Sequence, residues 1–125
     1  MFRFFKLYFL ALFISSLSFN GYAVGYEIFE ASGKVGLRDE GGIVLIPPIY
    51  DKLGWSNGSK VPTNQLIGYM AGGRWGLISL ENKKITTAEY VKLYPFSTQL
   101  FAAAKKGKVS RLAYLGLINS SGKIT

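Results

Sequence analysis

The chain contains no cysteine and no histidine. Those two absences exclude disulfides, thiol nucleophiles, zinc sites built on Cys or His, and every triad that uses imidazole as its base. A cysteine-linked lipid anchor is excluded with them. Acids are scarce as well: seven Asp and Glu stand against fifteen Lys and Arg, a formal charge of +8. There are only four prolines, two of them adjacent at Pro47-Pro48. At 125 residues the chain has room for one small domain.

What the sequence does contain begins with an apolar leader. Arg3 and Lys6 lie in the first six residues, and residues 7–14 are an unbroken apolar run. Gly21-Tyr22-Ala23 then puts small residues three and one positions before a cut. A charged start, a short apolar middle and a small-x-small exit are the parts of a secretory signal peptide. The expectation is a signal helix over residues 1–23, removed after Ala23. An uncleaved anchor is the alternative, because no charge separates Lys6 from Glu27. Losing Arg3 and Lys6 leaves 24–125 with a charge of +6. The expected location is exported: periplasm, cell surface or secreted. Export removes nucleic acid as a partner. The basic balance then serves solubility or contact with a protein or an anionic envelope surface, and the membrane is met only through the leader if that stays attached.

The remainder repeats. Gly33-Lys34-Val35-Gly36-Leu37 returns as Gly73-Arg74-Trp75-Gly76-Leu77, and Gly116-Leu117-Ile118 repeats the end of the phrase. Gly36, Gly76 and Gly116 are spaced by 40 and 40, as are Tyr50 and Tyr90. Three copies follow, at about 26–65, 66–99 and 100–125, the last incomplete. Lys84-Ile85-Thr86 and Lys123-Ile124-Thr125 agree at a spacing of 39, which implies a one-residue loss in the third turn.

Apolar residues alternate within each copy with a period near two, so the copies read as strands. The expected strands are Tyr26–Ala31, Lys34–Asp39 and 43–46 in the first copy. Leu66–Ala71, Arg74–Ser79 and 84–87 follow in the second, then 100–105 and 115–119 in the third, with 108–114 as a loop or bulge. Trp75 and Leu77 should share one face, opposite Arg74, Gly76 and Ile78. Pro47-Pro48 should end its strand, because proline lacks the amide hydrogen that a ladder needs. A glycine at 36, 76 and 116 marks close approach by a neighbouring strand or ring.

The phrase Gly73-Arg74-Trp75-Gly76-Leu77-Ile78, with Ile46-Pro47-Pro48-Ile49-Tyr50-Asp51 in the copy before it, resembles the WG repeat of bacterial exported proteins. The resemblance covers about 26–125. It departs from the pattern at Val35, where tryptophan is typical, and in the third copy, which is interrupted after Val109. It implies an all-β array of antiparallel β-hairpin repeats with a period of about 40 residues. It brings no catalytic residue, cofactor or metal to carry over.

Two sets of candidate residues result. The repeat-defining positions Gly36, Tyr50, Trp75, Gly76, Tyr90 and Gly116 are assigned to packing. Trp55, outside the repeated phrase, and Lys105, Lys106 and Lys108, at a basic hairpin tip, are the candidate ligand contacts. The leading expectation is a non-enzymatic binding or scaffold module, and the alternative is an accessory region of a larger exported enzyme or receptor. Because an unpaired strand edge is an association hazard, edge-to-edge self-association is a further expected partnership.

Overall fold

The computed structural model describes Tyr22–Ala23 and residues 25–106 and 113–125. Nearly all of the expected signal helix, and Lys108, lie outside the described residues. The described residues form ten strands: β1 (Tyr22–Ala23), β2 (Tyr26–Ala31), β3 (Lys34–Asp39), β4 (Val44–Tyr50), β5 (Lys52–Gly54), β6 (Leu66–Ala71), β7 (Arg74–Ser79), β8 (Lys92–Pro95), β9 (Leu100–Lys106) and β10 (Ala113–Asn119). They make three antiparallel sheets, ordered β1-β2-β3-β4, β5-β6-β7 and β8-β9-β10. Among these residues no helix is long and apolar enough to cross a membrane. Strand β1 pairs Tyr22 with Glu27 and Ala23 with Tyr26, so a cut after Ala23 would remove it.

Local chemistry sets the hairpins. Ser32-Gly33 joins β2 to β3 and Gly72-Gly73 joins β6 to β7, and all four residues have positive φ. Two consecutive left-handed residues make the tight turn whose twist matches that of paired strands. A second turn recurs after each hairpin. The side chains of Asp39, Ser79 and Asn119 each accept two backbone amides, from positions two and four residues on. The amides of Asp39, Ser79 and Asn119 donate to the carbonyls of Ile43, Lys83 and Lys123. Gly42, Asn82 and Gly122 take the positive φ that closes the turn. Asn119→Ala is expected to cost about 0.5–1.5 kcal/mol for the lost acceptor. Urea unfolding read by circular dichroism checks it.

These turns correct the expected one-residue loss. Their equivalent atoms fall at 39, 79 and 119, and the bridges Arg38 to Val44, Ile78 to Lys84 and Ile118 to Ile124 carry the same spacing of 40. Ile124 therefore stands where Lys84 does, and the match of Lys-Ile-Thr at 39 is one of letters only. Val35 to Tyr50 and Trp75 to Tyr90 are a further equivalent pair.

Three more expectations change. Pro47 and Pro48 lie inside β4 rather than after it. They are tolerated because β4 is the outer strand of its sheet and shifts register against β3. Residues 84–87 form no strand, only the Lys84 bridge, with Leu77 carbonyl accepting from Ile85 and Thr86. In the third copy Ala113 and Tyr114 belong to β10 rather than to a loop.

The segment after each second turn edges its own hairpin and then opens the next sheet. Tyr50 pairs with Val35, Asp51 N donates to Met70 O, and β5 pairs with β6. Likewise Tyr90 pairs with Trp75, Val91 N donates to Ala104 O, and β8 pairs with β9. One apolar core runs through all three sheets, including Leu37 and Ile46 from the first, Leu77 and Ile78 from the second, and Leu93 and Phe101 from the third. Ile78 is as buried as Leu77, so both faces of β7 are covered.

Candidate functional site

Trp55, a candidate ligand contact by sequence, lies in the packed core. Only 2% of it is exposed. Its ring stacks on Phe101 with centroids 5.5 Å apart, and its Nε1 donates to Val61 O at 2.8 Å. A buried indole with its one donor satisfied is a packing residue. Lys105 and Lys106 end β9, both exposed, while Lys108 lies outside the described residues. Asp51 pairs with Lys34 and also accepts from the backbone amide of Gly72.

The repeat glycines are not alike. A Cβ on Gly36 would lie 2.5 Å from Ile46 O and 2.8 Å from Pro48 N, so the backbone of β4 closes over it. A Cβ on Gly76 would lie 2.6 Å from the Tyr69 ring. That ring is held by Tyr50 at 4.9 Å and by a hydrogen bond from its Oη to Thr86 O. Gly116 has nothing within 4 Å and is exposed. Register explains the difference between the last two, since Tyr69 stands opposite Gly76 but only Ala103 opposite Gly116, whereas Gly36 is closed by the adjacent strand β4.

The result is a mostly apolar groove of about 150 Å³ lined by Tyr90, Ala103, Lys105, Gly116, Leu117, Ile118 and Ile124. Ile124 is 80% exposed on its rim. Lys105 is its cation: Nζ lies 5.7 Å from the Tyr90 ring centroid and 3.0 Å from the Glu89 carboxylate. In the second copy Lys84, which stands where Ile124 does, is set over the rings of both Tyr50 and Tyr69. Such an arrangement can accept an apolar or aromatic group and place a positive charge beside it.

The hydrogen bond from Lys105 holds Glu89 below the usual carboxylate range, and the same bond holds Lys105 above the usual lysine range. The Glu89 contribution to stability is present above its unfolded value and lost as pH falls through its folded value. The Lys105 contribution is present below its unfolded value and lost as pH rises through its folded one. Both side chains are substantially exposed, so the pair stabilises weakly. Glu89→Gln should lower the urea midpoint slightly at neutral pH, and the difference should vanish once acid protonates Glu89. Burial raises the phenols of Tyr50, Tyr69 and Tyr90 above their ordinary 10. Their neutral forms favour the fold below pH 10, and that contribution is lost as pH rises through the folded values. An ultraviolet phenolate titration should show Tyr50, Tyr69 and Tyr90 ionising late, together with alkaline unfolding.

Among the described residues no group of three or more acids is placed to hold a metal ion. Ala103 is the groove residue that the repeat pattern leaves unmarked. Its signal is the substitution of a small residue at the register position of Tyr69, and it shows only once the strands are paired.

Residues 75–108 match the family model described as WG containing repeat. The match starts at Trp75 on β7, takes in the crossing through Tyr90, and ends just past β9. Those residues are therefore similar to a WG repeat. No curated protein and no solved structure matches the chain.

Proposed function

We propose that the chain is an exported, non-enzymatic binding module built from WG repeats of a 40-residue period, and that it recognises a protein partner through the outer edge of its third sheet. The recurrence of the Asp39, Ser79 and Asn119 turns at a spacing of 40 supports the period. Export rests on the apolar leader with its small-x-small exit. The observation that carries the binding reading is β10 itself. It ends the sheet order β10-β9-β8, and among the described residues its outer edge meets only the turn and short return at Gly122–Thr125. A strand edge of that kind offers backbone donors and acceptors to an added strand, and adjacent side-chain pockets supply selectivity.

The test is chemical cross-linking of the tagged chain in intact cells, followed by mass measurement in separate cell fractions. The expected product is a heteromeric complex outside the cytoplasm. A homomeric product would instead favour edge-to-edge self-association, for which the outer edge of β2 beyond Glu27 is a second edge unpaired among the described residues. An uncomplexed cytoplasmic chain would overturn the reading.

A further inference from the structure

We propose that the cleft between the loop at 96–99 and the turn at 119–121 binds a neutral saccharide. The site lies at the end of the third hairpin rather than along the outer edge of β10, so it goes beyond the protein-partner reading and does not rest on it.

The repeat shows how the cleft arises. At one end of each hairpin the residue before the first strand faces the residue after the second. In the first copy Glu40 N donates to Gly25 O at 3.2 Å, and in the second Leu80 N donates to Gln65 O at 3.0 Å. The third copy keeps the register one step in, with Asn119 opposite Leu100 as Ser79 stands opposite Leu66. The next bond, from Ser120 N to Gln99 O, is not made.

Two differences part the segments. Thr63 and Leu66 exchange backbone bonds around Asn64 and Gln65, both at positive φ, which makes a tight turn into β6. Before β9 the loop is wider: Leu100 O accepts from the amides of Phe96 and Ser97, and the Ser97 hydroxyl accepts from the amides of Gln99 and Leu100. Leu80 is buried in the core, and Ser120 stands in its place with a short polar side chain.

The opening is a cleft of about 480 Å³ whose walls include Ser97, Thr98, Gln99, Asn119, Ser120 and Ser121. Small-molecule sites span roughly 300–1,000 Å³. The walls carry hydroxyls and carboxamides and no ionisable side chain. Such groups both donate and accept hydrogen bonds, which suits a ligand covered in hydroxyls and leaves nothing to balance a charge. Ser97 Oγ and Asn119 Oδ1 are each tied to two backbone amides, so these two walls are fixed before a ligand arrives. Phe96, next in the chain to Ser97, is 66% exposed and offers a ring to the C–H face of a sugar.

A continuation of the chain would run away from this end. Thr125 N donates to Leu117 O as Ile85 N does to Leu77 O, and residues 85–90 then pass from Leu77 to Trp75, whose equivalent is Leu115. The second copy, which has another copy after it, leaves Asn64, Gln65 and Glu81 exposed at the corresponding end.

The test is saturation-transfer difference NMR of the intact chain with maltotriose, cellotriose and N,N′,N″-triacetylchitotriose. Transfer to at least one of them is expected, with a dissociation constant below about 10 mM. Ser120→Leu gives the third copy the residue of the second and should weaken binding at least about tenfold. Gln99→Ala should weaken it by a similar factor, and because Gln99 is exposed its loss leaves the fold intact. The urea midpoint of each variant checks folding, and if Ser120→Leu does not fold, Gln99→Ala decides alone. No transfer to any of the three sugars, or unchanged binding by a folded variant, overturns the proposal. Neither result bears on the cross-linking outcome, so failure here is distinct from failure of the protein-partner reading.

Discussion

Gly36→Ala is expected to destabilise the protein by about 1–3 kcal/mol, whereas Gly116→Ala should leave it unchanged or more stable by about 0.5–1 kcal/mol. The two glycines occupy the same place in the repeated phrase, and neither has a left-handed φ. Backbone conformation therefore cannot separate them, and only space can. The added methyl at 36 would meet Ile46 O at 2.5 Å and Pro47 C at 2.9 Å. Those atoms belong to the backbone of a strand held by Tyr50, which is buried against Tyr69, and they have little freedom to retreat. At 116 the methyl meets nothing and replaces the glycine's large loss of chain entropy on folding. Urea unfolding with an unchanged slope is the measurement. Equal losses at both sites would show that the third hairpin is closed like the first.

Trp55→Ala is expected to cost about 3–5 kcal/mol, more than either glycine substitution. That is comparable to the total stability of many small domains, so the variant should be largely unfolded at ambient temperature. The ring is stacked between chain segments far apart in sequence, with Phe101 on one side and its Nε1 bonded to Val61 O. Trp55→Phe should retain much of the contact and lose about 1 kcal/mol with the hydrogen bond. Far-ultraviolet circular dichroism during urea titration distinguishes the two. A folded Trp55→Ala chain of near wild-type stability would contradict the packing role.

Much of the architecture is legible in the sequence where short-range chemistry decides it. The four central hairpin strands have the expected bounds because alternation fixes their faces, while Ser32-Gly33 and Gly72-Gly73 fix their turns. Strands β5 and β8 are not legible. They are only three and four residues long and exist because Asp51 N and Val91 N find carbonyls on the next hairpin. Pro47-Pro48 misleads for a related reason: whether proline ends a strand depends on whether that strand is an edge, which is settled by the sheet. Trp55 misleads because its partner Phe101 belongs to a different copy. The shift from 39 to 40 in the third turn shows that similar letters can sit one residue away from equivalent geometry. Asp39, Ser79 and Asn119 differ in identity yet supply the same acceptor.

The candidate site is legible only in part. Gly116, Tyr90 and Lys105 are visible as repeat or basic positions, and Ala103 becomes informative only when strand pairing sets it against Tyr69. Lys106 is exposed at the end of β9 and takes no part in lining the groove.

Amide hydrogen exchange at Trp75 and Leu115 in the monomeric chain decides whether the second hairpin is closed and the third open. Trp75 N donates to Tyr90 O and should exchange slowly, while Leu115 N should exchange at least about a hundredfold faster. Comparable protection of the two amides would contradict an open outer edge of β10 beyond the Ile118–Ile124 bridge.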